Sequence, residues 1–168
     1  MTNKKKNIIL GIDPGFADTG YGIVEFIGGK TKTLGYGSIK TPAKQDFSER
    51  LEYIYNELNK LIKKYKPGSI AVEQLFFYKN VTTAIKVSQA RGIVLLAAQQ
   101  NKLSIHEYTP LQIKQSLTGY GRAEKKQMQL MIKAVLGLKE IPKPDDAADA
   151  LAVALCCFAS QKLEKLGK

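Results

Sequence analysis

The run NIILGID at residues 7–13 is apolar from Ile8 to Ile12 and is stopped at once by Pro14-Gly15. A strand whose side chains are apolar on both faces needs cover on both, so it belongs in the middle of a sheet flanked by helices. It also raises a question. A strand that should be buried finishes on a carboxylate, Asp13.

The segments on either side fill in that sheet. TGYGIVEFI (19–27) and KTKTLGYGSIK (30–40) alternate in strand fashion, and Gly28-Gly29 between them reads as a hairpin turn, which predicts three antiparallel strands. The period then changes. Phe47, Leu51, Ile54, Leu58, Leu61 and Tyr65 recur at threes and fours, widened by Tyr55 and Ile62, so 46–65 is an amphipathic helix that Lys66-Pro67-Gly68 ends. SIAVEQ (69–74) is a second short buried-type strand carrying an acid, Glu73, at its end. A helix from about 80 to 100, a strand at 103–108, helices at 111–117 and 124–136, and a last helix at about 145–163 follow. This order predicts an α/β fold with a five-stranded mixed sheet, three antiparallel strands and then two parallel ones, flanked by helices.

At 168 residues one domain is expected, spanning 1–168 with short basic ends that fray. The chain has no apolar run near the 18 to 20 residues of a membrane span, and IILGI is too short for the core of a signal peptide, so a cytoplasmic protein is expected. Cys156 and Cys157 are neighbours in a helical pattern and point to different sides, which suits core thiols and excludes zinc held by cysteine. His106, the one histidine, sits in a strand and suits a structural role. Lys and Arg outnumber Asp and Glu by 26 to 15, a net charge of +11 that favours a polyanion as partner.

Around the 80–100 helix, TTAIKVSQARGIVLLAAQQ places apolar or small residues in almost every direction. One sheet face does not need that many. Either the helix is wrapped inside one subunit or it meets a second subunit, and the small size of the domain favours the interface.

Four acids stand where a site could form: Asp13 and Glu73 at strand ends, and Asp146 and Asp149 three apart on one side of the final helix. If the two strands are neighbours, their acids share a point with the helix, and a cation makes such a cluster tolerable. Carboxylates without histidine or cysteine select magnesium or manganese, and two such ions can activate water and stabilise the leaving oxygen of a phosphodiester. Taken singly, Asp13 is a turn former, Glu73 a solvated strand end and Asp145 or Asp146 a helix cap, but Asp149 lies a turn inside a helix of alanine and leucine. Spacing alone allows Asp145 with Asp149 as well as Asp146 with Asp149.

GIDPG (11–15), VEQLFFYKN (72–80), SQARG (88–92), the stretch from Thr109 to Lys125 containing IKQSLTGYGRAEK, and DDAADALAVAL (145–155) resemble, in order and spacing, the RuvC family of bacterial Holliday junction resolvases in the ribonuclease H-like superfamily. The resemblance implies a homodimer that nicks two opposing strands of a four-way DNA junction, using magnesium (with manganese as a substitute), two ions per active site. It matches Asp13, Glu73, Asp146 and Asp149 to four acidic metal ligands, and Lys114 and Lys125 to lysines near the site. It also implies contact with the branch-migration motor of RuvA and RuvB.

Lysines bracketing the glycine-containing SLTGYGR loop can hold a phosphate or developing negative charge, with Arg122 and Lys126 as further candidates. Phe76, Phe77 and Tyr78 follow Glu73 in a loop, where aromatics can stack on unpaired bases or wedge a junction open, and Phe76 matches the family's stacking aromatic. Lys79, Asn80 and Arg91 are candidate phosphate contacts. An actin-like or sugar-kinase-like phosphotransferase shares the GIDPG type of turn but needs two lobes. A junction binder that had lost its chemistry would not keep all four acids, and a RuvX-like relative would lack the long match over 109–155.

Overall fold

The computed structural model describes residues 6–75 and 81–166. Ten elements run in the order β1 (Asn7–Asp13), β2 (Asp18–Ile27), β3 (Lys30–Lys40), α1 (Phe47–Tyr65), β4 (Ser69–Glu73), α2 (Val81–Gln100), β5 (Ser104–Tyr108), α3 (Pro110–Thr118), α4 (Lys125–Leu136) and α5 (Asp145–Leu166). The strands form one sheet in the order β3-β2-β1-β4-β5. β1, β2 and β3 pair antiparallel, while β4 pairs parallel with both β1 and β5. This is the ribonuclease H-like sheet expected from the sequence, and NIILGID is its middle strand.

Local chemistry sets the ends of the elements. Gly28 and Gly29 both have positive φ (57° and 80°), and the two-residue turn they make matches the twist of the β2–β3 hairpin. Lys66 closes α1 in the left-handed region with its N–H on the Ile62 carbonyl, and Pro67 prevents the helix from continuing. α3 opens on a capping box: the Thr109 hydroxyl accepts from the Gln112 N–H at 3.1 Å, and the Gln112 side chain accepts from the Thr109 N–H at 2.8 Å. Such caps hold short helices that propensity alone leaves marginal.

Because side chains alternate along a strand, the sheet divides the interior into two cores. Ile8, Leu10, Ile12, Ile23, Ile70 and Val72 face α1 and α2, where they meet Ile54, Leu58, Ile62, Val94 and Ala97. Ile9, Val24, Phe26 and Ala71 face the other way, against α5, with Ile113, Met128 and Ile132 of α3 and α4 completing that side.

The α5 side is packed unusually closely. A Cβ on Gly11 would stand 2.8 Å from the Ala154 nitrogen, one on Gly22 2.7 Å from Leu151 Cδ2, and one on Gly20 2.9 Å from the Asp146 Cβ. Gly11 pairs with Gly22, and Asp13 pairs with Gly20, so the three glycines form one bare patch across β1 and β2. Ala150 and Ala154 of α5 lie over it, both fully buried. Each glycine in a strand interior costs about 0.5–1 kcal/mol relative to alanine. In return, the helix backbone seats directly on the sheet.

Cys156 and Cys157 are buried and unpaired, and burial pushes the Cys157 thiol up to about 11, as suits inert core thiols. His106 lies 3.3 Å from the Gln161 amide. No helix of the described residues is long and apolar enough to cross a membrane.

Candidate active site

Asp13 stands two residues beyond Gly11 on β1, and Glu73 two beyond Ala71 on β4. Gly11 and Ala71 are direct partners in the parallel β1–β4 pairing. Parity therefore puts both acids on the α5 face, at the end where the two strands finish. From above, α5 brings Asp146 and Asp149. Its seat on Gly20, the partner of Asp13, sets how near they come. Register and close packing, acting together, answer the question posed by a strand that ends on an acid.

Electrostatics shows which charges share the site. Asp13 is pushed up to about 7, first by burial and then by the charges of Glu73, Asp149 and Asp146, with Lys125 acting the other way. Glu73 is also raised to about 7, by burial and then by Asp149, against the opposing charge of Lys114. Asp149 is raised by burial and by its neighbours Asp146 and Asp145, again against Lys125. Like charges partly withdrawn from water resist ionising together unless a cation joins them.

Two lysines supply positive charge. Glu73, Lys114, Lys125 and Asp149 line one cavity of about 210 Å3, whose walls are completed by Pro110, Ile113, Met128 and Ala152. Lys125, at the first turn of α4, places its ammonium 2.8 Å from Asp145 Oδ2 and 3.9 Å from Asp149 Oδ2. Both lysines predicted from the sequence thus reach the acids, Lys114 from α3 and Lys125 from α4.

Asp145 and Asp146 face different surroundings. Asp145 is exposed, bound to Lys125 and to the Gln129 amide at 3.1 Å, and Lys125 holds its carboxyl below the usual range. Asp146 lies over Gly20, and its charge reaches Asp13. Both aspartates also suit the positive N-terminal end of α5.

A fifth acid was not singled out by the sequence. Asp18 begins β2, two residues before Gly20 and on the same face, and after burial its charge is the largest influence raising Asp146. Its Oδ1 is buried with no hydrogen-bond partner among the described residues. Nothing about DTG in one sequence marks this aspartate; only the β1–β2 register shows where it lies.

The donors are all hard oxygens from three separate elements, which is the ligand chemistry of magnesium or manganese. Among the described residues no group of three or more acidic, histidine or cysteine side chains is drawn together tightly enough to enclose an ion. The acids share one electrostatic environment, with Lys125 as counter-charge, rather than a closed cage. Their chemistry and charge fit a divalent cation.

The remaining predicted contacts separate into three groups. Arg122 is exposed on the turn before α4 and Lys126 is exposed in the first turn of that helix. Arg91 donates from Nη2 to Glu107, so its guanidinium ties α2 to β5. Phe76, Phe77, Tyr78, Lys79 and Asn80 lie outside the described residues.

Known proteins resemble the chain along nearly its whole length. The family described as "Crossover junction endodeoxyribonuclease RuvC" matches residues 9–157. A crossover junction endodeoxyribonuclease RuvC of Ruminiclostridium cellulolyticum is 56% identical over 159 residues, covering 95% of this chain and 96% of that protein. One from Clostridioides difficile is 53% identical over 158 residues, covering 94% of each. Among solved structures, Thermus thermophilus RuvC in complex with a Holliday junction substrate superposes with a TM-score of 0.90 at 36% identity, covering 94% of this chain and 96% of that one.

Proposed function

The chain belongs to the RuvC family of crossover junction endodeoxyribonucleases, and from that premise we propose that it is a divalent-metal-dependent nuclease that binds four-way DNA junctions as a homodimer and nicks two opposing strands symmetrically. The observation that carries the chemistry is the shared environment of Asp13, Glu73, Asp146 and Asp149 beside Lys114 and Lys125.

Asp13, Glu73, Asp146 and Asp149 would hold the magnesium or manganese, two ions per site. A bound pair of this kind supplies an activated water and charge stabilisation for the leaving oxygen. The chain's own part is positioning. Lys114 and Lys125, on capped helices either side of the cavity, hold the non-bridging oxygens of the scissile phosphate and offset the charge that develops there. Lys125, paired with the exposed Asp145 while no phosphate is bound, would exchange that partner for the phosphate, and Asp145 would keep its hydrogen bond from Gln129. Burial of Asp13 and Glu73 keeps their carboxylates weakly solvated, so they favour a cation over water.

α2 supports the dimer. Ile85, Gly92 and Leu96 fall on one side of the helix, with Ile85 55% and Leu96 48% exposed and nothing near the Gly92 Cβ position. A mid-helix glycine costs about 1 kcal/mol and no contact among the described residues requires it. A helix from a second copy, approaching closely there, gives it a purpose.

The test is cleavage of a synthetic four-way junction beside a linear duplex of the same sequence, with and without magnesium. Paired nicks in the junction, dependent on the ion, are expected. Equal cutting of the duplex, or cutting in the presence of a chelator, would overturn the reading.

A further inference from the structure

A second cationic cluster stands at the same end of the sheet as the acids but on its other face. β3 runs parallel to β1, so its end at Lys40, the following Thr41 and the start of α1 all lie where β1 and β4 finish. The early turns of α2 come to this end as well, since α2 follows β4. The loop after Asp13 carries Phe16 into the corner between α1 and α2.

The cluster is built around that ring. Phe47 stacks on Phe16 with centroids 4.6 Å apart, and the Arg50 guanidinium lies 3.9 Å over the Phe16 ring. The Lys86 ammonium is 5.9 Å from the same centroid. Arg50 Nε donates to Thr41 Oγ1 at 2.8 Å, and that hydroxyl donates to the Phe16 carbonyl at 2.9 Å. The guanidinium is thus fixed in place through one of its nitrogens, with the two Nη groups directed elsewhere. Among the described residues no carboxylate pairs with Arg50 or Lys86. A cavity of about 260 Å3 lined by Phe47, Thr82, Ile85, Lys86 and Gln89 opens beside it.

A fixed arginine fork without a counter-ion is suited to phosphate oxygens, since a planar guanidinium presents paired donors and loses little freedom on binding. The stacked phenylalanines hold the fork by cation–π contact. We propose that Arg50 and Lys86, set by Phe16 and Thr41, form a second backbone-phosphate contact that takes an arm of the junction across the end of the sheet from the cutting site. Because Phe16 is three residues from Asp13, a strand held here is placed in register with the carboxylates. The contact fixes position and carries no base specificity.

This inference rests on the nuclease reading, and the experiment separates the two. Affinity for a synthetic four-way junction is measured without divalent metal over a range of salt, for the wild-type chain and for Arg50→Gln, Lys86→Gln and the double variant. Each lost phosphate contact should lower the slope of log affinity against log salt by about 0.9, so the double variant should be shallower by about 1.8. Arg50→Lys, which keeps the charge, should retain most of the slope, and melting curves should show all four variants folded. A wild-type chain that binds the junction alongside a double variant of unchanged slope and affinity overturns this inference alone. A wild-type chain that does not bind the junction overturns the nuclease reading, and this contact with it.

Discussion

The two faces of the sheet solve different problems with different residues. Toward α1 and α2 the strands present Ile8, Leu10, Ile12, Ile23, Ile70 and Val72, large side chains that keep helix and sheet apart and fill the gap with apolar volume. Toward α5 the same strands present Gly11, Gly20, Gly22 and Ala71 beside Ile9, Val24 and Phe26, and over the glycines the helix answers largely with alanine and its own backbone. One face stores stability in buried side-chain area, about 25 cal/mol per Å2. The other gives up some of that volume so that a helix backbone can lie against the strands. All four candidate ligands are on the second face or its edge. Close packing there leaves little slack in the separation between Asp13 and Asp146, and a site that holds several like charges needs such control.

Substitutions divide along the same line. The largest expected effect is on chemistry: Asp13→Asn or Glu73→Gln should lower magnesium-dependent junction nicking by a factor on the order of 10³ or more while keeping, or tightening, junction affinity. Cleavage rates measured beside gel-shift affinities check this. Next comes the aliphatic face, where Leu58→Ala should cost about 2–5 kcal/mol in denaturant unfolding and leave the nicking rate per folded molecule unchanged. Gly20→Ala makes the opposite trade. One methyl group pressing on Asp146 should cost about 1–3 kcal/mol of stability but lower nicking by far more than the folded fraction explains.

A smaller effect is carried by pH. Asp13 and Glu73 have folded values near 7, well above those of the unfolded chain, so between about pH 4 and pH 7 the folded state binds more protons than the unfolded state. Their contribution to stability is therefore fully present at low pH and is lost as pH rises through 7. Melting temperatures in chelator should fall across that window, and millimolar magnesium should reverse the fall. A flat profile, or one in which magnesium has no effect above pH 7, would separate the acids from the ion.

Much of this was legible in the chain. The strand-end position of Asp13 follows from Asp-Pro-Gly after an apolar run, and the helical side shared by Asp146 and Asp149 follows from their spacing. Element boundaries agree to within a residue or two, except that α5 runs on to Leu166. The face on which Glu73 lies was not legible, because parity along β4 acquires meaning only through its register with β1. Gly11, Gly20 and Gly22 passed as ordinary strand residues, since a single sequence does not show what approaches a missing side chain. Lys114 and Lys125 could be separated from the other basic residues only by resemblance to a family. Arg91 shows another limit: that this basic residue of α2 pairs with Glu107 of β5 is visible only in the folded chain.

One property is central: acids brought together by the glycine–alanine seam share a divalent ion. Titrating the chelator-treated protein with manganese at pH 7.5, followed by calorimetry, measures it without reference to DNA. Saturable uptake is expected for the wild-type chain, with affinity lowered at least tenfold in Asp13→Asn and in Glu73→Gln and little changed in Asp145→Asn. Equal uptake by all four proteins, or none by the wild type, would contradict it.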